Sequence, residues 1–505
     1  MLIKSICIVG GGSSGWMMAL ALQNKLPDLD VTLIEAPNFP TIGVGESTIP
    51  STKDFIKNTL GFEEKEWMPY CDATYKAAIR FTDFTKKNEK VYHPFWSTQE
   101  TDINGFDWAI KKSIDNSTIE DYYESYFIAY HMCKENKFDR LEDEGFSYAH
   151  HLDAVKFALF CKSKFKGKHI LATVQEVKIQ DNNISKVFTD KGEHEADLFV
   201  DCTGFKSLLL GKALQEPFNS ISDTLLNDTA ITCRVPYDDR FFELEPFTDC
   251  TALSSGWAWN TPIWSRIGTG YVYSSKYQSK ESATKEFKEY LTKRFGKKRI
   301  ENAEFNTIKF KTGKHERSWV GNCLALTLSS GFIEPLEATG LAIIGWQIDK
   351  FINTLEKNKY TALGRSMYND NIDITFTEIH FFVLLHYINT KREDSPYWEY
   401  IRDELKTSKD FNNYVKDIGA LKNGSFWPEW FRNKSLECIS LGFNLPSEYS
   451  KNKLCWGKTK FENLTTKDKE IVMEELSYLD YQKLINTEKS KSFLILEDYM
   501  KKEIY

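Results

Sequence analysis

The strongest periodic pattern in the chain lies between residues 341 and 355, where apolar side chains recur at spacings of three, four and seven positions. The polar residues Gln347, Asp349 and Lys350 fall between them. This pattern is typical of an amphipathic helix that packs one face against a core. The apolar face consists of Leu341, Ile344, Ile348, Phe351, Ile352 and Leu355.

The segment that leads into this helix, residues 329–340, places Glu337 three positions before the predicted start at Gly340. The first N–H groups of a helix have no partner within the helix, so those near Thr339 and Gly340 can hold a small anion beside the carboxylate. The alternative is a glycine-containing turn in which the Thr339 hydroxyl caps the helix.

Near the N-terminus, an apolar strand, a glycine turn and a helix-favouring run follow one another. Gly10, Gly12 and Gly15 have the spacing G-x-G-x-x-G. The first glycine allows a tight turn, the second lets a pyrophosphate approach, and the third lets helix and strand pack closely. A second strand, 31–34, ends at Glu35, an acid suited to a ribose hydroxyl. The pattern predicts dinucleotide binding, with a plain glycine-rich turn as the alternative.

Two later segments read as buried strands followed by turns. The first, 196–205, contains Asp201 and Gly204, and the second, 320–326, ends at Leu326. A chain that returns to a nucleotide site three times suits a large, extended dinucleotide, and the order of the segments favours FAD over NAD. Structural strands with turns explain either segment alone equally well.

The composition excludes several classes of protein. The 505 residues are 41% hydrophobic and 14% aromatic, enough for a large core divided into two or three lobes. A formal net charge of -7 offers no basic field, so we expect no nucleic-acid partner. The ten cysteines form no C-x-x-C pair, and His150 and His151 lack ligand spacing, so we predict reduced thiols and no metal.

The pattern also predicts the compartment. The chain enters a strand and a glycine turn within its first residues, which leaves no room for a secretory signal. No apolar run is long enough to span a membrane. We therefore expect a soluble, cytoplasmic protein without a membrane partner.

Short segments of the chain, in this order and at this spacing, resemble flavin-dependent halogenases of the tryptophan-halogenase type over most of the first 400 residues. They are the glycine turn and the segments 43–50 (GVGESTIP), 148–154 (YAHHLDA), 201–204 (DCTG), 256–262 (GWAWNTP), 334–340 (EPLEATG), 386–387 (HY) and 392–398 (REDSPYW).

The resemblance implies an α/β fold. Residues 1–390 would form an FAD-binding, Rossmann-type domain like that of flavin monooxygenases, to which the aromatic-rich stretch 51–150 adds the substrate pocket. Residues 391–505 would form a mainly helical substrate-binding or cap region. Within that region, 420–431 combines aromatic residues with a glycine and a proline, which predicts a lid or pocket wall.

The resemblance also assigns catalytic roles. Lys76 matches the lysine that binds or activates hypohalous acid, and burial can lower the pKa of such an amine. Without its motif, Lys76 would be one solvated lysine among many. Glu337 matches the glutamate that assists the lysine or removes the ring proton. Thr339 and Gly340 match positions whose backbone amides hold the halide.

The segment 43–50 matches a mobile strap over the flavin, whose glycines provide hinge freedom. Trp257 and Trp259 match a W-x-W pair that separates flavin from substrate, although two aromatic residues on one strand face can be purely structural. The predicted cofactor-binding residues are Gly10, Gly12, Ser13, Gly15, Glu35, Gly43, Val44, Gly45, Glu46, Ser47, Asp201, Gly204, Leu326 and Ile343. The predicted substrate pocket contains Ile49, Pro50, His93, Phe95 and Trp96.

The implied cofactors are FAD, used as FADH2, and a halide ion. The implied partners are a small aromatic substrate and a separate flavin reductase, because no second nucleotide fingerprint for NAD(P)H is present. A homo-oligomer is left open. The expected reaction places a halogen on an electron-rich aromatic carbon, and the alternatives are a flavin-dependent aromatic hydroxylase or a non-catalytic flavin-fold binding protein.

The chain departs from the family pattern at three places. Ala338 stands where serine is common, and Thr261 replaces the usual isoleucine. The stretch after residue 400 contains no Y-Y-x-x-N-x-E pattern of the kind that grips free tryptophan. The choice among chloride, bromide and iodide and the identity of the aromatic substrate therefore stay open.

Overall fold

The computed structural model describes residues 3–37, 43–96, 108, 111–112, 117–357, 360–405, 433–443, 463 and 465–505, so the predicted lid at 420–431 lies outside the described part. The helices are α1 Ser13–Lys25, α2 Pro50–Asn58, α3 Glu64–Trp67, α4 Ile119–Tyr126, α5 Ile128–Glu135, α6 Ala154–Lys164, α7 Arg240–Glu243, α8 Lys280–Phe295, α9 Lys297–Ile300, α10 Gly340–Glu356, α11 Ala362–Leu385, α12 Pro396–Asp403, α13 Asn433–Gly442, α14 Thr466–Ser490 and α15 Leu496–Glu503. The strands are β1 Ser5–Val9, β2 Asp30–Glu35, β3 Glu46–Ser47, β4 Thr74–Lys76, β5 Ala78–Thr82, β6 Lys90–Pro94, β7 Lys137–Phe138, β8 Ala149–Leu152, β9 Lys168–Leu171, β10 Val174–Gln180, β11 Asn183–Thr189, β12 Gly192–His194, β13 Leu198–Asp201, β14 Phe218–Ser220, β15 Thr229–Val235, β16 Phe247–Leu253, β17 Gly256–Ile263, β18 Arg266–Tyr273, β19 Asn306–Lys309, β20 Gly313–His315, β21 Trp319–Val320, β22 Cys323–Ala325, β23 Gly331–Phe332 and β24 Leu494–Ile495.

A six-stranded sheet in the order β21-β22-β13-β1-β2-β9 carries the predicted nucleotide-binding segments. Strand β1 pairs in parallel with both β2 and β13, with Val9 opposite Ile34 and Asp201. Strand β22 extends the parallel order, with Ala325 opposite Asp201. The carboxyl ends of the three predicted segments therefore lie side by side, at the edge where open parallel sheets bind ligands.

The turn between β1 and α1 requires two of its glycines for steric reasons. Gly10 has a φ of +120°, and a Cβ there would lie 2.1 Å from the Cys202 carbonyl oxygen. A Cβ on Gly15 would lie 1.9 Å from the Gly10 carbonyl oxygen. A Cβ on Gly12 would meet nothing within 4 Å. The tight turn and the close helix packing predicted for Gly10 and Gly15 are confirmed, and Gly12 faces open space.

A second sheet contains seven strands in the order β19-β15-β18-β17-β16-β5-β6. It is antiparallel except for the parallel pair β5 and β16. All seven residues of β16 are buried, so the strand lacks the alternation that marks a strand with one solvated face. The sequence pattern did not predict this sheet for that reason.

The described elements after residue 390 are helices, joined by loops, and the short strand β24, so the prediction of helices and connecting loops is met there. They attach firmly to earlier parts of the chain. In α14, Lys483 donates to Asp121 of α4 at 2.8 Å, and β24 pairs with β7. The ring of Tyr505 stacks on Trp264 with centroids 4.0 Å apart. The domain boundary at 390 stays a prediction.

Asp201, at the end of β13, organises the turn that follows. Its Oδ1 accepts hydrogen bonds from the Thr203 N–H at 3.0 Å and the Thr203 hydroxyl at 2.6 Å. Its Oδ2 accepts from the N–H groups of Leu209 and Leu210 at 2.8 and 2.9 Å. The carboxylate is wholly buried, so these four bonds replace its hydration.

We predict that Asp201→Asn lowers the free energy of unfolding by about 2–3 kcal/mol. The side-chain NH2 of asparagine is a donor, so it cannot accept the backbone N–H groups that one carboxylate oxygen of Asp201 accepts, and these buried N–H groups lose their partner. Urea titration of the flavin-free protein measures the loss. Asp181→Asn is the control, since Asp181 lies in an exposed turn with a φ of 49°, a conformation that asparagine tolerates. Equal unfolding midpoints for the two variants would contradict the prediction.

Candidate functional site

Helix α10 begins at Gly340 without a side-chain cap. Thr339 occupies the capping position, but its hydroxyl makes no capping hydrogen bond, so the alternative of a threonine-capped turn is wrong. The first amides of the helix are left for another acceptor. The predicted apolar face is buried, apart from the half-buried Leu355. Gln347 is buried as well, because its Oε1 accepts the Thr327 N–H at 2.9 Å.

Lys76 ends strand β4 and is wholly buried, so the alternative of a solvated surface lysine is wrong. Its Nζ donates to the Thr48 carbonyl oxygen at 2.8 Å and lies 5.3 Å from the centre of the Phe95 ring. Burial lowers the pKa of Lys76 to about 7, against the opposing attraction of Glu337. Near neutral pH, the amine is therefore divided between its charged and neutral forms.

Glu337 lies between two histidines. Its Oε2 is 2.9 Å from Nδ1 of His93, and its Oε1 is 2.6 Å from Nε2 of His386. All three side chains are buried. Burial by itself raises the pKa of the carboxyl group, but the charges and hydrogen bonds of the two imidazoles outweigh it and lower the pKa to about 2. Glu337 is thus held as an anion in the surroundings of Lys76.

The predicted pocket residues fall into two groups. His93 contacts Glu337, and Phe95 contacts Lys76. Ile49 packs in the same core cluster as Ala338. Pro50 starts α2, whereas Trp96 packs against the largest hydrophobic cluster of the described residues. The site role of His386 was missed by sequence reasoning, which used that residue only as part of the family resemblance. Nothing in the local sequence signals it, because it lies 49 positions from Glu337.

The strap residues 43–47 are tied to the rest of the protein. The Gly43 carbonyl oxygen accepts hydrogen bonds from Nε of Arg234 at 2.9 Å and from a terminal nitrogen of Arg266 at 3.4 Å. Strand β3 pairs with β8, and the Ser47 and Thr248 hydroxyl groups are 2.6 Å apart. The hinge freedom expected of the strap glycines is therefore restrained at these contacts.

The strap also reaches the start of α10. A Cβ built on Gly340 would lie 3.3 Å from Oε1 of Glu46, so this carboxyl group approaches the uncapped helix end. Burial raises the pKa of Glu46 to about 7. Two elements predicted separately, one for the flavin and one for the halide, meet at this point. Val44 and Gly45 pass close to Gly268, which has no room for a side chain.

Trp257 belongs to a buried hydrogen-bond network. Its Nε1 donates to Oε2 of Glu334 at 3.4 Å, and Glu334 also accepts from Asn227 and Tyr387, each at 2.6 Å. The rings of Trp257 and Trp259 are 6.1 Å apart. These contacts support the structural alternative for Trp257, and they give Glu334 a structural role.

The turn after β1 fits a dinucleotide. Gly12 faces open space, and α1 begins without a side-chain cap, so its N–H groups are free to bind a pyrophosphate. Oε1 of Glu35 lies against Gly11, while Oε2 accepts from Lys162 at 2.8 Å. The Ser13 hydroxyl donates to the Ala154 carbonyl oxygen. The residues of the turn therefore suit the pyrophosphate of a dinucleotide.

The later cofactor predictions have mixed surroundings. Both carboxylate oxygens of Asp201 accept bonds from the protein, so its side chain supports the turn. Gly204 follows in a left-handed conformation with a φ of 64°. The Leu326 side chain is wholly buried, and Ile343 is half-buried on the first turn of α10. Whether these four residues contact the flavin stays a prediction.

Among the described residues, no group of three or more His, Cys, Asp or Glu side chains is placed to hold a metal ion. The same part of the chain contains no helix long and apolar enough to cross a membrane. Its nine described cysteines are all buried free thiols.

A parallel sheet with a nucleotide-binding turn, joined to a buried lysine and carboxylate near an uncapped helix, is the arrangement of a dinucleotide-dependent enzyme. The chain belongs to the tryptophan halogenase family, whose model matches residues 5–455. It is thus a flavin-dependent halogenase, and the match does not favour the hydroxylase alternative.

Individual relatives agree. Tryptophan 6-halogenase SttH of Streptomyces toxytricini is 36% identical over 429 residues, which cover 78% of this chain and 80% of the relative. Tryptophan 7-halogenase RebH of Lentzea aerocolonigenes is 33% identical over 483 residues, covering 88% and 90%. The apo structure of VirX1 superposes with a TM-score of 0.85 at 32% identity and covers 100% of this chain and 99% of its own.

We predict that Lys76→Met stabilises the protein at pH 7. A pKa lowered from 10.5 to about 7 corresponds to a cost of roughly 5 kcal/mol for burying the amine, which methionine avoids. Between these two pH values, the unfolded lysine binds more protons than the folded one, so the parent gains stability as the pH rises. The advantage of methionine should be complete below pH 7 and shrink toward pH 10.5.

Calorimetric unfolding temperatures at a series of pH values test this. Lys57→Met is the matched control, because the Lys57 side chain is 63% exposed. If Lys76→Met and the parent show the same pH dependence, Lys76 does not bear the cost assigned to it.

We also predict that two glycine substitutions separate stability from cofactor binding. Gly15→Ala should destabilise the flavin-free protein, because its Cβ collides with the Gly10 carbonyl. Gly12→Ala should leave the unfolding midpoint unchanged but weaken FAD binding at least about tenfold, because the methyl group occupies the approach of the pyrophosphate. Unfolding curves and flavin titrations measure the two effects, and tight FAD binding by Gly12→Ala would contradict the assignment.

Proposed function

We propose that the protein installs chloride, bromide or iodide on an electron-rich aromatic carbon through hypohalous acid. FAD is the proposed flavin, it arrives as FADH2 from a separate reductase, and with O2 it supplies the oxidising power for the halide. The observation that carries the proposal is the wholly buried Lys76, with its pKa near 7 and Glu337 as its anionic partner.

The start of α10 is the proposed halide site. The backbone amides of Thr339 and Gly340 would hold the ion, which the absence of a threonine cap supports. Ala338 precedes them with a φ of 57° and offers no hydroxyl group beside the ion. The proposal therefore does not restrict the halide to chloride.

Lys76 is the proposed residue that receives hypohalous acid. Its amine is wholly buried and anchored to the Thr48 carbonyl oxygen, so it can direct a hydrogen bond, or a neutral lone pair, at the oxidant. The adjoining Phe95 ring and His93 support a flat aromatic substrate on the same side.

Glu337 is the proposed partner of Lys76. The resemblance leaves two roles for it: assisting the lysine or taking up the ring proton. A pKa of about 2 makes the carboxylate a weak base at neutral pH, which supports the first role. Its charge raises the pKa of Lys76 and keeps part of the amine protonated.

The proposed substrate is a small aromatic or heteroaromatic compound such as an indole or a phenol. The curated relatives are named for tryptophan, and the chain lacks the Y-Y-x-x-N-x-E pattern after residue 400. Free tryptophan should therefore be tested as a substrate alongside other indoles and phenols. We also predict a cytoplasmic location. The proposal does not specify an oligomeric state.

We predict that the parent, supplied with FAD, a flavin reductase, NADH and O2, forms halogenated products whose mass follows the halide added. Lys76→Met should lower the rate at least about a thousandfold while FAD still binds, because the oxidant loses its acceptor. Lys57→Met should match the parent. Mass spectrometry of a panel of indoles and phenols measures the products.

The same experiment tests the rival. A hydroxylase would add oxygen with or without halide. Retained halogenation by Lys76→Met would overturn the proposed role of the lysine, and an oxygenated product independent of halide would overturn the proposed reaction.

A further inference from the structure

The contacts of His386 determine where its protons lie. Its Nδ1 is 2.9 Å from the Phe382 carbonyl oxygen, and a carbonyl oxygen can only accept, so Nδ1 carries a hydrogen. Its Nε2 is 2.6 Å from Oε1 of Glu337. A neutral ring with its hydrogen on Nδ1 would aim a lone pair at a carboxylate oxygen. A second proton must therefore lie in the contact with Glu337, on Nε2 or on the carboxyl group, and the pKa of Glu337, lowered to about 2, assigns it to Nε2.

The other histidine needs no such proton. Nδ1 of His93 can donate to Oε2 of Glu337, and its Nε2, 3.0 Å from the Ser435 hydroxyl oxygen, can accept from it. A neutral His93 satisfies both contacts. The hydrogen-bond geometry thus requires a second proton at His386 and does not require one at His93.

The surroundings contain few other charges. Phe81, Phe382 and Phe443 pack around the His386 ring with centroids 4.6, 5.5 and 5.1 Å away. These rings exclude water from the pair. The titratable groups that face the pair from the neighbouring elements are Lys76 of β4, His93 of β6, Cys250 of β16 and Glu334 of the preceding loop.

We propose that His386 is a positioning residue of the halogenation site. Its ring carries a proton on both nitrogens in the resting protein, and the imidazolium holds Glu337 as a carboxylate within the pocket of Lys76. This inference rests on the proposed function, because it deepens the roles given there to Glu337 and Lys76.

Loss of the His386 charge should change how the halogenation rate depends on pH. Burial is the largest influence on the pKa of Glu337 and acts upward. In a variant without His386, the charge and the hydrogen bond of that ring no longer oppose burial, so the carboxyl group of Glu337 takes up a proton at a higher pH. Lys76 then loses its anionic partner as the pH falls. A variant that lacks the charge should show a loss of rate on the acid side that the parent lacks.

The first test reads the protons directly. The parent, His386→Gln and the control His380→Gln are labelled with 15N-histidine, and the ring nitrogen resonances are recorded at about pH 8, where exposed histidines are neutral. His380 lies on α11, the helix that ends immediately before His386, is buried and has its Nε2 2.7 Å from the Thr224 hydroxyl oxygen, away from Glu337. We expect one imidazolium signal in the parent and in His380→Gln that is absent from His386→Gln.

Glu337→Gln provides a second route in case His386→Gln does not fold. Its uncharged amide can donate to Nε2 of His386, so the imidazolium signal should disappear from this variant as well. A signal of a neutral ring at His386 in the parent, or an imidazolium signal that survives in either variant, would overturn the assigned protonation.

The second test is the halogenation rate at about pH 6 relative to about pH 8. In His386→Gln this ratio should fall about tenfold below the ratio of His380→Gln, the fall expected when the carboxyl group of Glu337 titrates about one unit above the lower of the two pH values. An unchanged ratio would overturn the positioning role. A parent that forms no halogenated product contradicts the proposed function alone, because the ring spectra report on His386 without turnover.

Discussion

The removal of Lys76 from water is the constraint on which the site depends. A wholly buried ammonium group with a single carbonyl acceptor loses most of the hydration that stabilises its charged form, and its pKa falls. The nearby anion of Glu337 counters this effect, and the balance brings the pKa of the lysine to about 7. Exposure to water would raise the pKa of Lys76 toward that of a surface lysine. Loss of the Glu337 anion would lower the pKa further and leave the amine neutral.

Two glutamates of the same loop show how neighbours decide protonation. Glu334 accepts hydrogen bonds from the neutral groups of Asn227, Trp257 and Tyr387, and burial outweighs these bonds and raises its pKa. Glu337, three residues later, contacts imidazoles on both oxygens, and its pKa falls to about 2. The backbone brings both side chains into the interior. Neutral hydrogen-bond donors give Glu334 a structural role, whereas the two imidazoles keep Glu337 charged.

Local sequence patterns predicted the elements that depend on local physics. The apolar repeat placed α10 correctly, and the glycine spacing placed the turn at Gly10 and Gly15, because helix periodicity and steric exclusion act over a few residues. The antiparallel sheet escaped prediction, since strands buried on both faces have no alternation. Gln347 was misplaced on the polar side because its partner, the Thr327 amide, lies in a neighbouring loop.

The sequence by itself determined the class of the fold, the nucleotide turn, the uncapped helix start as a possible anion site, and, through family resemblance, the choice of Lys76 and Glu337. Tertiary structure alone decided the state of these two groups. Burial is a property of the packed whole, and the histidines that hold Glu337 arrive from a strand and a helix far apart in the chain. Charge in a low-dielectric interior depends on such distances, which no local pattern encodes.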